Sequence, residues 1–453
     1  MTEDYNYFPD KNNININQLV YWFQVKFPTL CDEMNECKHA FKTDEPNPYH
    51  IENSVWAHTM MVCLQAENNN SNKIVLISAL LHDIGKPEAR DVIPFEAKKP
   101  AHTESNEIRN EGKNDGKDSG LNRIVPPSGK KTHQRGHEGL SFYKAISVLN
   151  ELQKEGVVSD YEKTEILTII SLHGTLFDSI NENGEMIKPN KVFDKFRSPE
   201  TFVNLVSQVI NDSTGRFFMS KDGRKNNALR LGIEIFTELQ YREYKQENPG
   251  YTNIKDENPS ITVLIGPPAS GKSTWRNENI TDEVVISRDD EMVKYAEDTN
   301  IIGGLLDCKA CEGSGEIEVT LGFETCDRCH GVGAYPIGNY SDIWRYLEEN
   351  DLHKEVDKIV QEKFKDTIKN GKSIVIDQTN MSRKSRRKWF SNVPKDYTKK
   401  AVVFATDYDE IYRRNTKRKE ETGKEIKPYI ISNMMKQFIV PTFDECDIIK
   451  WVF

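Results

Sequence analysis

Apolar residues in the first half of the chain recur at helical spacing. In the second half they form short continuous runs separated by amphipathic stretches. Asn17 to Phe27 predicts a short amphipathic helix with Leu19, Trp22 and Phe23 on one side. Val55, Met61, Val62 and Leu64 predict a helix in a core, and Ile74 to Leu81 a second, fully buried one. Further helices are expected from Gly136 to about Leu149, over Ile166 to Leu172, over Phe202 to Ile210, and from Leu229 to Tyr244. From Ile261 onward the pattern changes. Ile261–Ile265, Val284–Ser287, Ser373–Ile376 and Ala401–Ala405 read as buried strands alternating with helices, which means a parallel α/β sheet with its ligands at the strand C-termini. Two domains follow: an all-α domain over 1–245 and an α/β domain over 261–453, joined by a polar, Pro/Gly-punctuated linker at 246–260. Residues 88–134 are polar and poor in large side chains, so they predict an insertion loop, either a lid or disorder.

Composition adds limits. At 453 residues, with 37% hydrophobic and 29% charged residues, the chain is expected to be soluble; no apolar run approaches a membrane span. Nothing at the N-terminus resembles a signal peptide, so a cytoplasmic location is expected. Net charge is −10, yet 383–427 carries 15 basic against 7 acidic residues. Such a run is compatible with nucleic-acid binding or with a solvated helical face.

Polar residues interrupt the apolar helices of the first half in a repeated way. His58 lies inside one, His82 and Asp83 end another, His137 opens a third, His173 follows a fourth, and Asp212 follows a fifth. A buried carboxylate needs a partner. Imidazole and carboxylate together suit Mn, Fe, Co, Ni or Zn better than Ca²⁺, and six ligands suffice for one or two ions.

The second half opens with a strand running into Gly266-x-x-x-x-Gly271-Lys272-Ser273-Thr274. Glycines let this loop, including Ser270, wrap a phosphate, and the following helix N-terminus presents free N–H groups to the anion. Lys272 can reach the β- and γ-phosphates of ATP or another nucleoside triphosphate, and Ser273 can hold Mg²⁺. Asp289 and Asp377 follow strands, where each could be catalytic or only a helix N-cap. Between them, Cys308-x-x-Cys311 and Cys326-x-x-Cys329, each followed by x-Gly-x-Gly, form a strong tetrahedral zinc signal over 305–336. A metal-stapled hairpin and a nucleic-acid contact are both open as its role.

The blocks HDIGKP and RGHEGLSF, within H…HD…H…H…D from His58 to Asp212, resemble the HD phosphohydrolase superfamily, which is all-helical. That resemblance implies one metal on His58, His82, Asp83 and Asp212, a second site completed by His137 and His173, and a phosphate held by Lys86 and Arg216. IGPPASGKSTW, SRDD, DQTN (Asp377 to Asn380) and RRNTKR resemble the 5′-OH polynucleotide kinases of phage and bacterial end-healing enzymes. By that resemblance Asp289 is the general base, Arg414 and Arg418 close over ATP, and Asp377 and Asn380 lie on the substrate side. Met292 stands where the phage enzyme has an acceptor-binding arginine, which leaves Lys294 or the insertion as substitutes. The cysteine knuckles resemble the zinc region of DnaJ chaperones. As a whole the chain resembles HD-domain polynucleotide kinases. This implies phosphorylation of 5′-OH ends, removal of 2′,3′-cyclic, 2′- or 3′-phosphates, RNA or DNA ends as partners, and sealing by a separate ligase. A small-molecule kinase fused to a nucleotidase is the alternative.

Overall fold

Helices dominate the first half because their apolar faces are wide and their starts are capped. Asn15 and Gln18 form a capping box on Ile16–Lys26, while Ser54, Asn72 and Ser198 cap Val55–Asn68, Lys73–Leu81 and Pro199–Thr214. The helix Lys73–Leu81 is buried from Ile74 onward and packs against Val55–Asn68, Asp160–Phe177 and Pro199–Thr214. This computed structural model describes residues 7–42, 45–46, 50–95, 129–177, 189–217, 233–248, 259–319, 322–327, 329–422, 424 and 426–453. Most of the expected linker and of the polar stretch 88–134 lies outside them.

The first half is helical but not all-α. Its described part includes a small antiparallel sheet in the order Glu45–Pro46, Ala40–Lys42, Gly129–His133, Asp91–Phe95. The two ends of the polar stretch pair in full register from Asp91 with His133 to Phe95 with Gly129. Polarity suggested a loop there, but pairing satisfies the backbone donors and acceptors without requiring a run of apolar residues.

Five parallel strands form the second half, in the order Val284–Ile286, Ile374–Ile376, Ser260–Ile265, Thr398–Phe404, Ile448–Val452. The last strand escapes a sequence reading because it is short and Lys450 interrupts its apolar run. The central strand Ser260–Ile265 is buried throughout, as a parallel sheet covered on both faces requires. The 305–336 segment leaves this body as a ribbon, Leu305–Asp307 paired with Ala334–Pro336, and carries a hairpin of Glu316–Val319 and Gly322–Thr325.

One continuous apolar core runs through both halves. Phe438 lies 4.4 Å from Phe142 and 5.3 Å from Tyr143, ring centre to ring centre, and Trp451 lies 5.9 Å from Phe142. A Cβ on Gly139 would fall 2.1 Å from the Met435 carbonyl, so a glycine is required for this approach. The linker suggested separable domains; the packing joins them. Phe438→Ala should therefore cost about 3–5 kcal/mol and lower a single calorimetric transition. Two transitions of which only one moves would refute the shared core.

Candidate functional site

Four histidines of the first half turn one nitrogen inward because the other is anchored. Nδ1 of His82, His137 and His173 lies 2.8, 2.9 and 2.7 Å from the carbonyls of Ala79, Gln134 and Ile170, and Nδ1 of His58 lies 3.0 Å from that of Gly215. A carbonyl can only accept, so each Nδ1 carries a proton, and in the neutral ring each Nε2 then presents a lone pair; at His82 burial opposes protonation, but Asp83 and Asp212 outweigh it and raise the pKa. His137 Nε2 and His173 Nε2 face each other at 3.3 Å. His58 Nε2 faces Asp212 Oδ1 at 3.0 Å and Asp83 Oδ2 at 3.7 Å. Lone pairs set against lone pairs and carboxylates repel unless a cation lies among them, so the donor set fits divalent metal.

A group of potential ligand atoms formed by His50, Glu52 and His58 lies beside two others: His58, His82 and Asp212, and Asp83, His137 and His173. Asp83 faces both. Its Oδ2 is 3.2 Å from His82 Nε2, and its Oδ1 is 3.4 Å from His137 Nε2. Burial opposes ionisation of Asp83 and Asp212, yet His82 and Lys86 around the first, and Arg216 and His58 around the second, hold both well below the usual carboxylate range. Burial, with His137 and His82 beside it, drops His173 to about 4, which keeps it neutral. Lys86 Nζ lies 2.6 Å from Asp83, and Arg216 2.5 Å from Asp212. A cavity of about 650 Å³ opens here past Lys86, His137, His173, Asp212 and Arg216.

Sequence reading missed two parts of this site. Glu52 lies 3.2 Å from His58 and 2.8 Å from His50, whose ring stacks on His39 at 4.1 Å. The His-x-Glu spacing ahead of the first ligand helix was the only signal. Lys436, Gln437 and Phe438 of the second half form part of the cavity wall, and no local pattern could announce that.

In the second half the phosphate loop follows its strand into the helix Lys272–Asn279, at the rim of a cavity of about 1350 Å³. Ser270, Gly271, Lys272, Ser273 and Thr274 line it, as do Asp289, Asp377, Arg414 and Arg418. Gly266 is the anchor: its N–H bonds the Thr379 carbonyl at 3.0 Å. Lys272 Nζ folds onto the carbonyls of Gly266 and Pro267 at 2.8 and 2.7 Å, and burial lowers its pKa to about 8.

Neither Asp289 nor Asp377 is a helix cap. Ser287 caps Arg288–Asp298, and Ser382 caps Arg383–Phe390. Asp289 instead accepts from Tyr340 Oη at 2.8 Å and pairs with Lys424 Nζ at 2.5 Å. Asp377 pairs with Arg276 at 3.0 Å. Arg414 leans on Glu410 and Arg418 on Asn415. Asn380 is buried, and its Nδ2 donates to the carbonyls of Leu264 and Gln378, tying the end of one strand to the next. The basic run is also less open than its composition suggests. Arg386 is fully buried against Glu445, and Arg383 pairs with Asp444.

The four knuckle cysteines are buried, unbridged, and all within 4.8 Å of one another. Cys308 and Cys326 sulfurs are 3.7 Å apart, and Cys311 and Cys329 sulfurs 3.6 Å, close to the ~3.8 Å edge of a tetrahedron with 2.3 Å metal–sulfur bonds. Gly315 and Gly333 amides each donate to a sulfur at 3.2 Å. Both glycines have positive φ, and a Cβ on either would strike a backbone oxygen at 2.3 or 2.2 Å. The cluster can hold one metal ion.

A phosphate loop at the C-terminal end of the central strand of a parallel five-stranded sheet, with cations and carboxylates around one cavity, defines the second half as a P-loop kinase-like domain. Residues 261–441 match the family described as an AAA domain. No curated protein matches the chain. Among the described residues no helix is long and apolar enough to cross a membrane.

Metal content tests both clusters. Cys326→Ser should lose one equivalent of zinc from purified protein, while Asp83→Asn should retain that zinc and lose the transition metal taken up by the histidine cluster. Unchanged stoichiometry in either variant would remove that cluster from the metal sites.

Proposed function

We propose that this protein heals nucleic-acid ends, with a 5′-OH polynucleotide kinase in the second half and an HD-type phosphohydrolase in the first. The observation that carries the reading is the pairing of a phosphate loop that shares its cavity with Asp289 and a largely buried four-histidine, two-aspartate cluster. In the kinase step the acceptor 5′-oxygen attacks the γ-phosphorus of ATP, the bond to the β–γ bridging oxygen breaks, and the hydroxyl proton passes to Asp289. Burial opposes ionisation of Asp289, but Lys424 outweighs it and holds the pKa below the usual range, so the carboxylate is charged and able to orient the hydroxyl. Lys272, Arg414 and Arg418 supply positive charge around the transferring group. Ser273 would hold Mg²⁺.

In the phosphohydrolase site the two ligand groups would hold transition metal. Such ions polarise a phosphoryl group and lower the pKa of water. Lys86 and Arg216 line the cavity as phosphate-binding cations, and the C-terminal half supplies Lys436 to the same wall. A 2′,3′-cyclic, 2′- or 3′-phosphate is the substrate this reading assigns, with a separate ligase sealing the product. The internal pairing of Arg383 and Arg386 favours the second reading, a small-molecule kinase joined to a nucleotidase.

Phosphate transfer from labelled ATP to a 5′-OH oligonucleotide, compared with mononucleosides, separates the readings; preference for the nucleosides would overturn end healing. Lys272→Ala or Asp289→Ala should abolish 5′ phosphorylation while release of phosphate from a cyclic-phosphate end persists. Asp83→Ala should do the reverse.

Metal replacement after chelation gives an independent check. Mg²⁺ should suffice for the kinase, whereas the histidine-rich site should require a transition metal. Full phosphohydrolase activity with Mg²⁺ alone would contradict the ligand assignment.

A further inference from the structure

Met292 cannot contact an acceptor, because it is buried in a satellite core with Ile343 and Leu347. The helix that contributes those two residues, Tyr340–Glu349, offers something else on its other side. Tyr340 and Trp344, one turn apart, both line the cavity that contains the phosphate loop and Asp289. Their rings lie 6.5 Å apart with planes 28° from parallel. Lys424 sits 3.6 Å over the Tyr340 ring, so that ring is already covered. Trp344 is held in place by His353 at 4.5 Å and by Arg288 at 5.2 Å, yet remains 39% exposed.

An indole open to a cavity of charged groups is costly to leave in water and suited to a flat aromatic ligand. We propose that Trp344 is the stacking platform for the terminal nucleobase of the acceptor, a proposal that rests on the kinase reading above. Tyr340 ties the platform to the chemistry: its hydroxyl donates to Asp289 while its helix carries Trp344. The helix is braced from behind by the cysteine module. Arg345 donates to Tyr335 Oη at 2.5 Å and to the Asp307 carbonyl at 2.6 Å, and Lys309 pairs with Glu349 at 3.0 Å. The module itself has six acidic and two basic residues over 305–336, a charge that repels phosphate backbone. It therefore acts on the acceptor through this helix.

Base stacking of this kind is sequence-tolerant and strong enough to change binding about tenfold. The test compares a 5′-OH oligonucleotide with the same strand lacking its 5′-terminal base. The native protein should show a KM about tenfold lower for the intact strand and a quench of tryptophan fluorescence on binding it. Trp344→Leu keeps bulk without an aromatic face; it should raise the KM for the intact strand about tenfold, remove the discrimination and diminish the quench, with the KM for ATP unchanged. Trp344→Phe should retain most of the discrimination. Equal KM values for the two strands with the native protein would overturn the platform and leave the kinase reading standing, as would undiminished discrimination in a folded Trp344→Leu. If no oligonucleotide is phosphorylated at all, the kinase reading falls and the platform falls with it.

Discussion

Asp83 is a carboxylate almost without access to water, and the first half of the protein is arranged around its charge. A lone buried carboxylate would cost several kcal/mol. Here Lys86 meets one oxygen, and imidazole nitrogens approach both. Those imidazoles are held by backbone carbonyls, so the helices that carry them fix where the lone pairs point. Helix ends and interiors from widely separated segments have to meet at this point, which explains why apolar helices tolerate polar residues there. The core of the first half is the scaffold that makes the meeting possible.

The same short helix that positions Lys86 reaches into the second half. Glu88, two residues on, accepts hydrogen bonds from Tyr408 Oη at 2.8 Å and Ser432 Oγ at 2.6 Å. Tyr408 begins the helix of Arg414 and Arg418, and Ser432 lies on the helix that ends at Lys436. One turn of helix thus touches the wall of one cavity and the start of the helix that carries Arg414 and Arg418 at the other. With Phe142 packed on Phe438, the two sites sit in one mechanical body. The cysteine module plays a smaller, analogous part at the kinase-like site, where Tyr335 and Asp307 hold Arg345 and hence the helix of Tyr340 and Trp344.

Much of this was legible in the chain. The phosphate loop, the four paired cysteines and the strand–helix alternation are local: each depends on residue types at fixed short spacing, and backbone geometry does the rest. The grouping of His58, His82, Asp83, His137, His173 and Asp212 was legible as a repeated irregularity, a polar residue wherever an apolar helix ended or was interrupted. The family resemblance also implied a division, with His58, His82, Asp83 and Asp212 on one side and His137 and His173 on the other; what it did not contain is the double role of Asp83. Asp83 lies in the turn between Lys73–Leu81 and Lys86–Ala89 and turns one oxygen to His82 and the other to His137, a placement that one-dimensional spacing does not contain. Asp289 was recognisable from its strand, but its freedom from capping depended on Ser287 taking that role.

Sequence alone determined the phosphate-loop pattern, the spacing of the four cysteines, and that a parallel sheet carries the phosphate loop. Tertiary structure decided which groups the side chains face. It buried Met292 and Arg386, turned Asn380 into a brace, opened Trp344 to the cavity and brought Lys436 to a site more than two hundred residues earlier in the chain. The physical reason is that ligand chemistry resides in single side chains, whereas exposure, partner and direction are properties of packing. Packing couples positions with no fixed separation along the chain.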